Sequence, residues 1–233
     1  MYKYDLGIIG GMGSEATVEL YNRIISRTYH TCDQEHMRIC VLNNSIIPDR
    51  TRCIVYNEES PVPYINESIR DLVNIKAEYF IIPCNTAHHF ANEYNTEGIK
   101  FISMIEETLK YINENYSDKK VCILATHGTI NSKVYHGNKL GENLNFVYCN
   151  KEEQESVMKV ITDTKSDSDR NEILNLLLSV IKSVKERNGE CLFVLACTEL
   201  SLYLEEAKKD NLVIDAMDCL VNATIVKCGY KNK

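Results

Sequence analysis

The feature that most constrains this chain is a pattern written twice. An apolar run over residues 79–82 stops at Pro83 and leads into Cys84, Asn85 and Thr86, with Ala87, Phe90, Ala91 and Tyr94 spaced as on a helix beyond. In the second half, the apolar run over 191–196 leads into Cys197, Thr198 and Glu199, with Leu202, Leu204 and Ala207 beyond. Short β-rich runs bounded by polar residues read as buried strands, and the wider spacing reads as helix. Each cysteine therefore falls where a strand ends and a helix begins. A helix N-terminus offers unpaired N–H groups and a positive dipole end, which favour a thiolate over a thiol.

Each copy also has an upstream partner strand, over residues 6–10 and 121–126. The plan implied is two half-length α/β units, each with a cysteine at the carboxyl end of a strand. In open parallel sheets ligands bind at those ends. If the two units face each other, the two thiols share one pocket.

Read in order, the first unit has a strand over 4–10, a glycine turn at Gly10, Gly11 and Gly13, and a helix over 15–28 capped by Ser14. A second strand over 37–42 leads into the loop 45–51, which holds Arg50; a helix follows over 64–76, and after the Cys84 segment a short strand at 101–102 and a helix over 105–116. The second unit opens with a strand over 121–125 ending in Thr126-His127-Gly128-Thr129, then a strand within 143–149, helices over 152–162 and 170–186, and a polar loop over 163–169 between them. A strand over 212–215 and a helix carrying Met217, Leu220, Val221 and Ile225 close the chain.

With 233 residues the chain can bury a sizeable core in one or two domains. Its formal charge of −7 offers no basic footprint for nucleic acid. No apolar stretch approaches the roughly 20 residues of a membrane helix, and residues 1–6 lack the apolar run of a secretion signal. The expectation is a cytoplasmic protein whose ten cysteines are reduced, with Cys40, Cys122, Cys149 and Cys191 as core filler in apolar runs.

Three readings compete for the chemistry-bearing residues. The spacing of Gly11, Gly13 and Ala16 fits a dinucleotide fingerprint, but the second strand ends in Asn43 and Asn44 rather than the acidic residue that would hold a ribose. Cys84, His88 and His89 could offer a metal ligands, yet no second ligand pair accompanies them; His88 fits better as a group that orients the site or caps the helix. Arg50 is either part of a solvated turn or a planar fork offered to a substrate carboxylate, and position alone supports both.

Four motifs in order, Leu6-Gly-Ile-Ile-Gly-Gly-Met12-Gly, Ile47-Pro-Asp-Arg50-Thr, Pro83-Cys84-Asn-Thr-Ala-His88 and Ala196-Cys197-Thr-Glu-Leu200, resemble the aspartate racemase branch of the aspartate/glutamate/hydantoin racemase superfamily over essentially the whole chain. The resemblance implies two similar three-layer α/β lobes with mainly parallel sheets and an active site in the cleft between them. It divides the chain into residues 1–100 plus 210–233, carrying Cys84, and 101–209, carrying Cys197. It further implies a cofactor-independent, metal-free homodimer that interconverts L- and D-aspartate, or more broadly aspartate and glutamate, with Cys84 and Cys197 as the acid/base pair. Asn85, Thr86 and Thr198 would hold the substrate's amino and α-carboxylate groups, Arg50 its side-chain carboxylate, and Met12 and Glu199 would line the site. Lys165 is the match for a basic residue that reaches the substrate in some relatives. Two departures are Ser14 in place of a proline and Ala196 in place of a glycine. Glutamate racemases proper carry Asp-Ser at the first turn and a histidine after the second Cys-Thr, where this chain has Gly11-Met12 and Glu199. The rival from another class is a non-catalytic amino-acid- or nucleotide-binding protein of the same fold.

Overall fold

A computed structural model describes residues 3–166 and 169–233. Residues 1–2 of the start and 167–168 of the expected polar loop lie outside the described residues. Among those described, eight strands form two four-stranded sheets, every pairing within them parallel. The first contains β1 (Tyr4–Gly10), β2 (Ile39–Asn43), β3 (Ala77–Ile81) and β4 (Lys100–Phe101), in the order β2-β1-β3-β4. The second contains β5 (Lys120–Leu124), β6 (Asn145–Val147), β7 (Cys191–Leu195) and β8 (Val213–Asp215), in the order β6-β5-β7-β8. The sequence repetition is thus a repetition of topology: β1 and β5 occupy the same place, as do β3 and β7. Central parallel strands are covered on both faces, which is why β7 is buried at every residue and reads as an unbroken apolar run.

Helices α1 (Ser14–Arg27), α2 (Arg50–Tyr56), α3 (Val62–Asn74), α4 (Met104–Asn115), α5 (His127–Ser132), α6 (Lys151–Thr164), α7 (Arg170–Asn188), α8 (Leu204–Lys208) and α9 (Ala216–Lys227) flank the sheets. One apolar core lies between the two halves, with Ile8, Leu20 and Ile24 of the first meeting Val121, Leu192 and Val194 of the second through Met104, Leu109 and Leu220. Two further cores fill the outer sides, one against α6 and α7, the other against α3. Local chemistry sets several helix starts: the side chains of Asp49, Ser103, Thr126 and Asp215 each accept a backbone N–H of the first turn. Asn150 and Glu153 complete a capping box on α6.

Four expectations are corrected. The strand at 213–215, assigned with the first lobe, pairs with β7 in the second sheet; α9, packing on α1 and α4, and the residues after it, where Asn232 bridges to Thr28, are what turn back. Ser14 is the first helical residue rather than the cap, its Oγ accepting from Asn43 Nδ2 at 3.1 Å, while Thr17 Oγ1 accepts Gly11 N–H at 3.1 Å and so ties down the turn. That turn needs glycine at 11, where φ is +86° and a Cβ would collide with the Asn44 backbone. Arg50 opens a helix capped by Asp49 instead of lying in a loop. Finally, residues Thr86–Glu93 form a 3₁₀ helix rather than an α-helix, and a short 3₁₀ turn, Leu200–Tyr203, follows the second cysteine.

Candidate active site

Cys84 follows β3 and Cys197 follows β7, so the two thiols leave equivalent strands of the two sheets. They are 9% and 8% exposed. Both line one cavity of about 40 Å³, and every residue expected from the sequence joins them in its wall: Met12, Arg50, Asn85, Thr86, Lys165, Thr198 and Glu199. Asp49, Thr51, Thr126 and Ala196 complete the lining. A cavity of this size has room for little more than water, so it is the narrow floor of a site. It opens into a mouth of about 400 Å³ between Gly11, Glu15, Glu19, Ile47, Lys165 and Leu202.

The second thiol has an acid–base partner of its own. Cys197 Sγ donates to Glu199 Oε2 at 2.9 Å, Thr198 Oγ1 donates to the same oxygen at 3.3 Å, and Glu199 Oε1 pairs with Lys165 Nζ at 3.1 Å. Burial, then the Glu199 carboxylate, push the Cys197 thiol well above its ordinary range, against the opposing pull of Lys165. The expected thiolate-favouring helix end is overruled here, because the four-residue 3₁₀ turn beyond it cannot outweigh desolvation and an adjacent anion. Lys165 sits immediately after α6, whose last residue Thr164 meets the Tyr203 hydroxyl at 3.2 Å. Burial lowers the Lys165 ammonium, but Glu199 outweighs it and holds the group charged.

The first thiol is held differently. His88 Nε2 accepts Met104 N–H at 3.0 Å, which leaves Nδ1 as the donor to Cys84 O at 2.9 Å. Burial pulls this imidazole down to about 4, so it is neutral near pH 7 and both ring nitrogens are engaged. His88 therefore positions the Cys84 backbone and has no lone pair left for a metal; among the described residues no cluster suited to a metal ion exists. Asn85 Oδ1 accepts from Tyr135 OH at 2.6 Å. Thr86 Oγ1 lies 3.0 Å from Thr126 Oγ1 and 2.8 Å from Thr129 Oγ1, with Thr126 and Thr129 hydroxyls 3.3 Å apart. Thr51 Oγ1 adds a link to Thr126 at 3.4 Å. Asn85 and Thr86 follow β3 while Tyr135, Thr126 and Thr129 belong to the second half, so these bonds stitch the halves together beside the cavity. The approach depends on Gly128, where a Cβ would stand 2.7 Å from Thr51 Oγ1. Tyr135 is what the sequence reading missed; Thr51 was visible only as the end of the Arg50 motif, and Thr126 and Thr129 only as the end of a strand.

Of the two cations in the cavity wall, Lys165 has a carboxylate partner and Arg50 has none among the described residues. Its Nη1 donates to Ile47 O at 3.2 Å and Pro48 O at 2.9 Å, and Nη2 to Met12 O at 3.1 Å. Its buried Nε has no partner, and among the described residues no carboxylate lies within ion-pair distance of it. Backbone carbonyls thus aim the guanidinium while leaving its charge uncompensated.

A family model described as Asp/Glu/Hydantoin racemase matches residues 9–224. The chain belongs to the Asp/Glu/hydantoin racemase family. An aspartate racemase of Picrophilus torridus is similar at 34% identity with a TM-score of 0.87, covering 100% of this chain and 96% of that one. An aspartate racemase homologue from Pyrococcus horikoshii OT3 shares the fold at a TM-score of 0.75 and 22% identity, over 98% and 99% of the two chains. The broad specificity amino-acid racemase RacX of Bacillus subtilis (strain 168) is 23% identical over 227 residues, 94% of this chain and 96% of that relative. Within the racemase family, then, this member has the full two-sheet fold with both cysteines at one cavity, and among its described residues no helix is long and apolar enough to cross a membrane.

Proposed function

We propose that this chain interconverts L- and D-aspartate without a cofactor, Cys84 and Cys197 exchanging the α-proton. The observation that carries the reading is the pairing of two thiols from equivalent strand ends on one cavity, next to an arginine whose buried Nε has no partner among the described residues. The α-proton beside a carboxylate is a very weak acid, and inverting the carbon requires removal at one face and return at the other. One base tends to give the proton back where it was taken. With two, a thiolate on Cys84 takes the proton and becomes a thiol while Cys197 gives its own to the opposite face and becomes a thiolate; the roles reverse for the other enantiomer. Cys197, held protonated beside Glu199, suits the donor's part in the first direction. Asn85, Thr86 and Thr198 hold the amino and carboxylate groups, and Arg50 takes the side-chain carboxylate through its free Nε, as does Lys165 from the mouth.

A second reading is a broader preference for acidic amino acids. It is favoured by the mouth, about 400 Å³ beside a floor of about 40 Å³, which leaves space for a longer side chain. Purified protein, enantiopure L-aspartate and heavy water test both: rotation should decay to zero, and the D-product should carry α-deuterium with no pyridoxal phosphate or metal added. Cys84→Ser and Cys197→Ser should each abolish inversion, since an alcohol is a far poorer acid than a thiol. Retained rotation in the wild type would leave a binding protein; normal inversion by either serine variant would reject the two-thiol scheme. L-glutamate in the same assay separates the narrow preference from the broad one.

A further inference from the structure

The two-thiol scheme leaves one half of the cycle unprovided for. Among the described residues no acidic side chain is bonded to the Cys84 sulfur, whereas Cys197 is bonded to a carboxylate and must give up its proton before it can act as a base. That carboxylate is shared: Oε2 takes the thiol's hydrogen bond at 2.9 Å and Oε1 takes the Lys165 ammonium at 3.1 Å. Lys165 stands at the rim, its side chain 54% exposed, lining both the floor and the mouth through which a substrate passes.

Resting on the racemase reading, we propose that Glu199 is the acceptor of the Cys197 proton and that Lys165 is its latch, withdrawn by the incoming carboxylate of the substrate. With Lys165 paired to Oε1, the carboxylate is stabilised as an anion and the proton stays on sulfur. A substrate carboxylate competing for the ammonium deprives Glu199 of its counter-charge, and Glu199 becomes the stronger base. The proton then moves along the existing hydrogen bond: the S–H bond breaks, an O–H bond forms on Oε2, and Cys197 is left a thiolate beside a neutral acid. After Cys197 has taken the α-proton it is a thiol again; the proton on Glu199 then leaves to solvent as Lys165 re-forms the ion pair, and Cys84, left a thiolate by its own donation, takes one from solvent, so the cycle closes with no net gain or loss of protons. The rise of the thiol beside Glu199 fits a sulfur that does not ionise while the latch is closed. Glu199 also faces Gly13 of the opposite glycine turn, a Cβ there lying 3.5 Å from Oε1, so the shared oxygen looks into the cleft between the halves.

The charged or titratable groups that act on the Cys197 sulfur include Glu199, Lys165, Cys84 and Tyr135, and of these Glu199 and Lys165 give the test its sign. In a Cys84→Ser background, alkylation of Cys197 by iodoacetamide is followed by peptide mass spectrometry at pH 7.5. Simple electrostatics requires Lys165→Met to slow alkylation, because a cation near the thiolate is lost. The latch requires the opposite. The expected gain is about tenfold, the low end of what one neighbouring opposite charge contributes when that charge is partly exposed. Glu199→Gln should erase that gain. Slower alkylation in Lys165→Met overturns the proposal, as does an equal gain in the Glu199→Gln background, which would mean better access alone. With both cysteines present, Glu199→Gln should lower kcat, and Lys165→Met should raise KM for aspartate by a larger factor than it lowers kcat; equal losses of kcat in the two variants would also overturn it. Aspartate inversion by the wild type is scored separately. A Glu199-dependent gain in a protein that does not invert aspartate retires the racemase reading and keeps the relay; inversion without that gain does the reverse.

Discussion

Removing the guanidinium of Arg23 should cost more stability than any other single charge deletion on α1, with a pH signature that identifies the cause. Arg23 Nη1 lies 2.5 Å from Asp215 Oδ2 and 2.6 Å from Asp218 Oδ1, its Nε donates to Glu19 at 2.7 Å, and Nη2 reaches Ser201 O at 3.3 Å. The Asp215 side chain is fully buried and the Arg23 side chain is 11% exposed, so solvent screens this pair little. Asp215 Oδ1 keeps Ser201 Oγ at 2.8 Å and Met217 N–H at 2.9 Å, but the only contact of Oδ2 among the described residues is Arg23. Arg23→Met retains much of the aliphatic stem and leaves a buried carboxylate half unsatisfied, which costs about 3–5 kcal/mol. At roughly 2–4 °C per kcal/mol for a chain of this size, Tm should fall by about 6–20 °C. Burial already raises Asp215 above its ordinary 3.8, with Arg23 opposing; without Arg23 the rise must grow. A carboxyl raised in the folded state contributes stability that is present below its unfolded value and lost as pH climbs through its folded value. The deficit of Arg23→Met should therefore be largest at pH 8 and narrow on acidification toward the ordinary carboxylate value, and Asp215→Asn should restore part of it in the double variant. Scanning calorimetry at pH 5 and pH 8 makes the comparison. A loss under about 1 kcal/mol at pH 8, or one that does not change with pH, would refute the reasoning.

Arg50→Leu should leave both thiols in place while weakening aspartate by about 2–5 kcal/mol, the cost of removing a charged partner from a buried carboxylate; steady-state kinetics should show this as a loss in kcat/KM for aspartate larger than for alanine, and normal aspartate turnover would move the recognition to Lys165. Gly128→Val should separate the halves at their tightest approach, because its branched side chain meets Thr51 and Thr86 atoms within 2.9 Å of a bare Cβ. Overpacking of this kind costs about 1–3 kcal/mol, readable as a lower urea midpoint together with loss of activity.

What the sequence made legible is the part in which local pattern and function coincide. Strand ends at Cys84 and Cys197, and the polar residues directly after them, could be read because a continuous apolar run stops abruptly at each. Lys165 was reached through resemblance alone, and it does line the cavity. The failures share a cause. Helices α2 and α5 have 7 and 6 residues, too short for a periodicity to register, so Thr51 and Thr129 came without an element to place them. Tyr135 looked like an ordinary aromatic until the packing of the halves brought it to Asn85. The Val213–Asp215 strand was recognised as a strand, but so short a run carries no information about its partner; in the fold Asp215 pairs with Leu195 of β7.

The repeated sheet order has a consequence for the energetics of a reaction between mirror images. An equilibrium constant of one obliges a racemase to have the same kcat/KM for both enantiomers, however unlike its two bases are. Here the scaffolds are near copies while their surroundings are not: one sulfur stands beside a neutral imidazole and a ring of hydroxyls, the other beside a carboxylate and an ammonium. For the proposed reaction, that inequality can be expressed only as an exchange of saturation against speed, the enantiomer that binds more tightly being turned over proportionately more slowly.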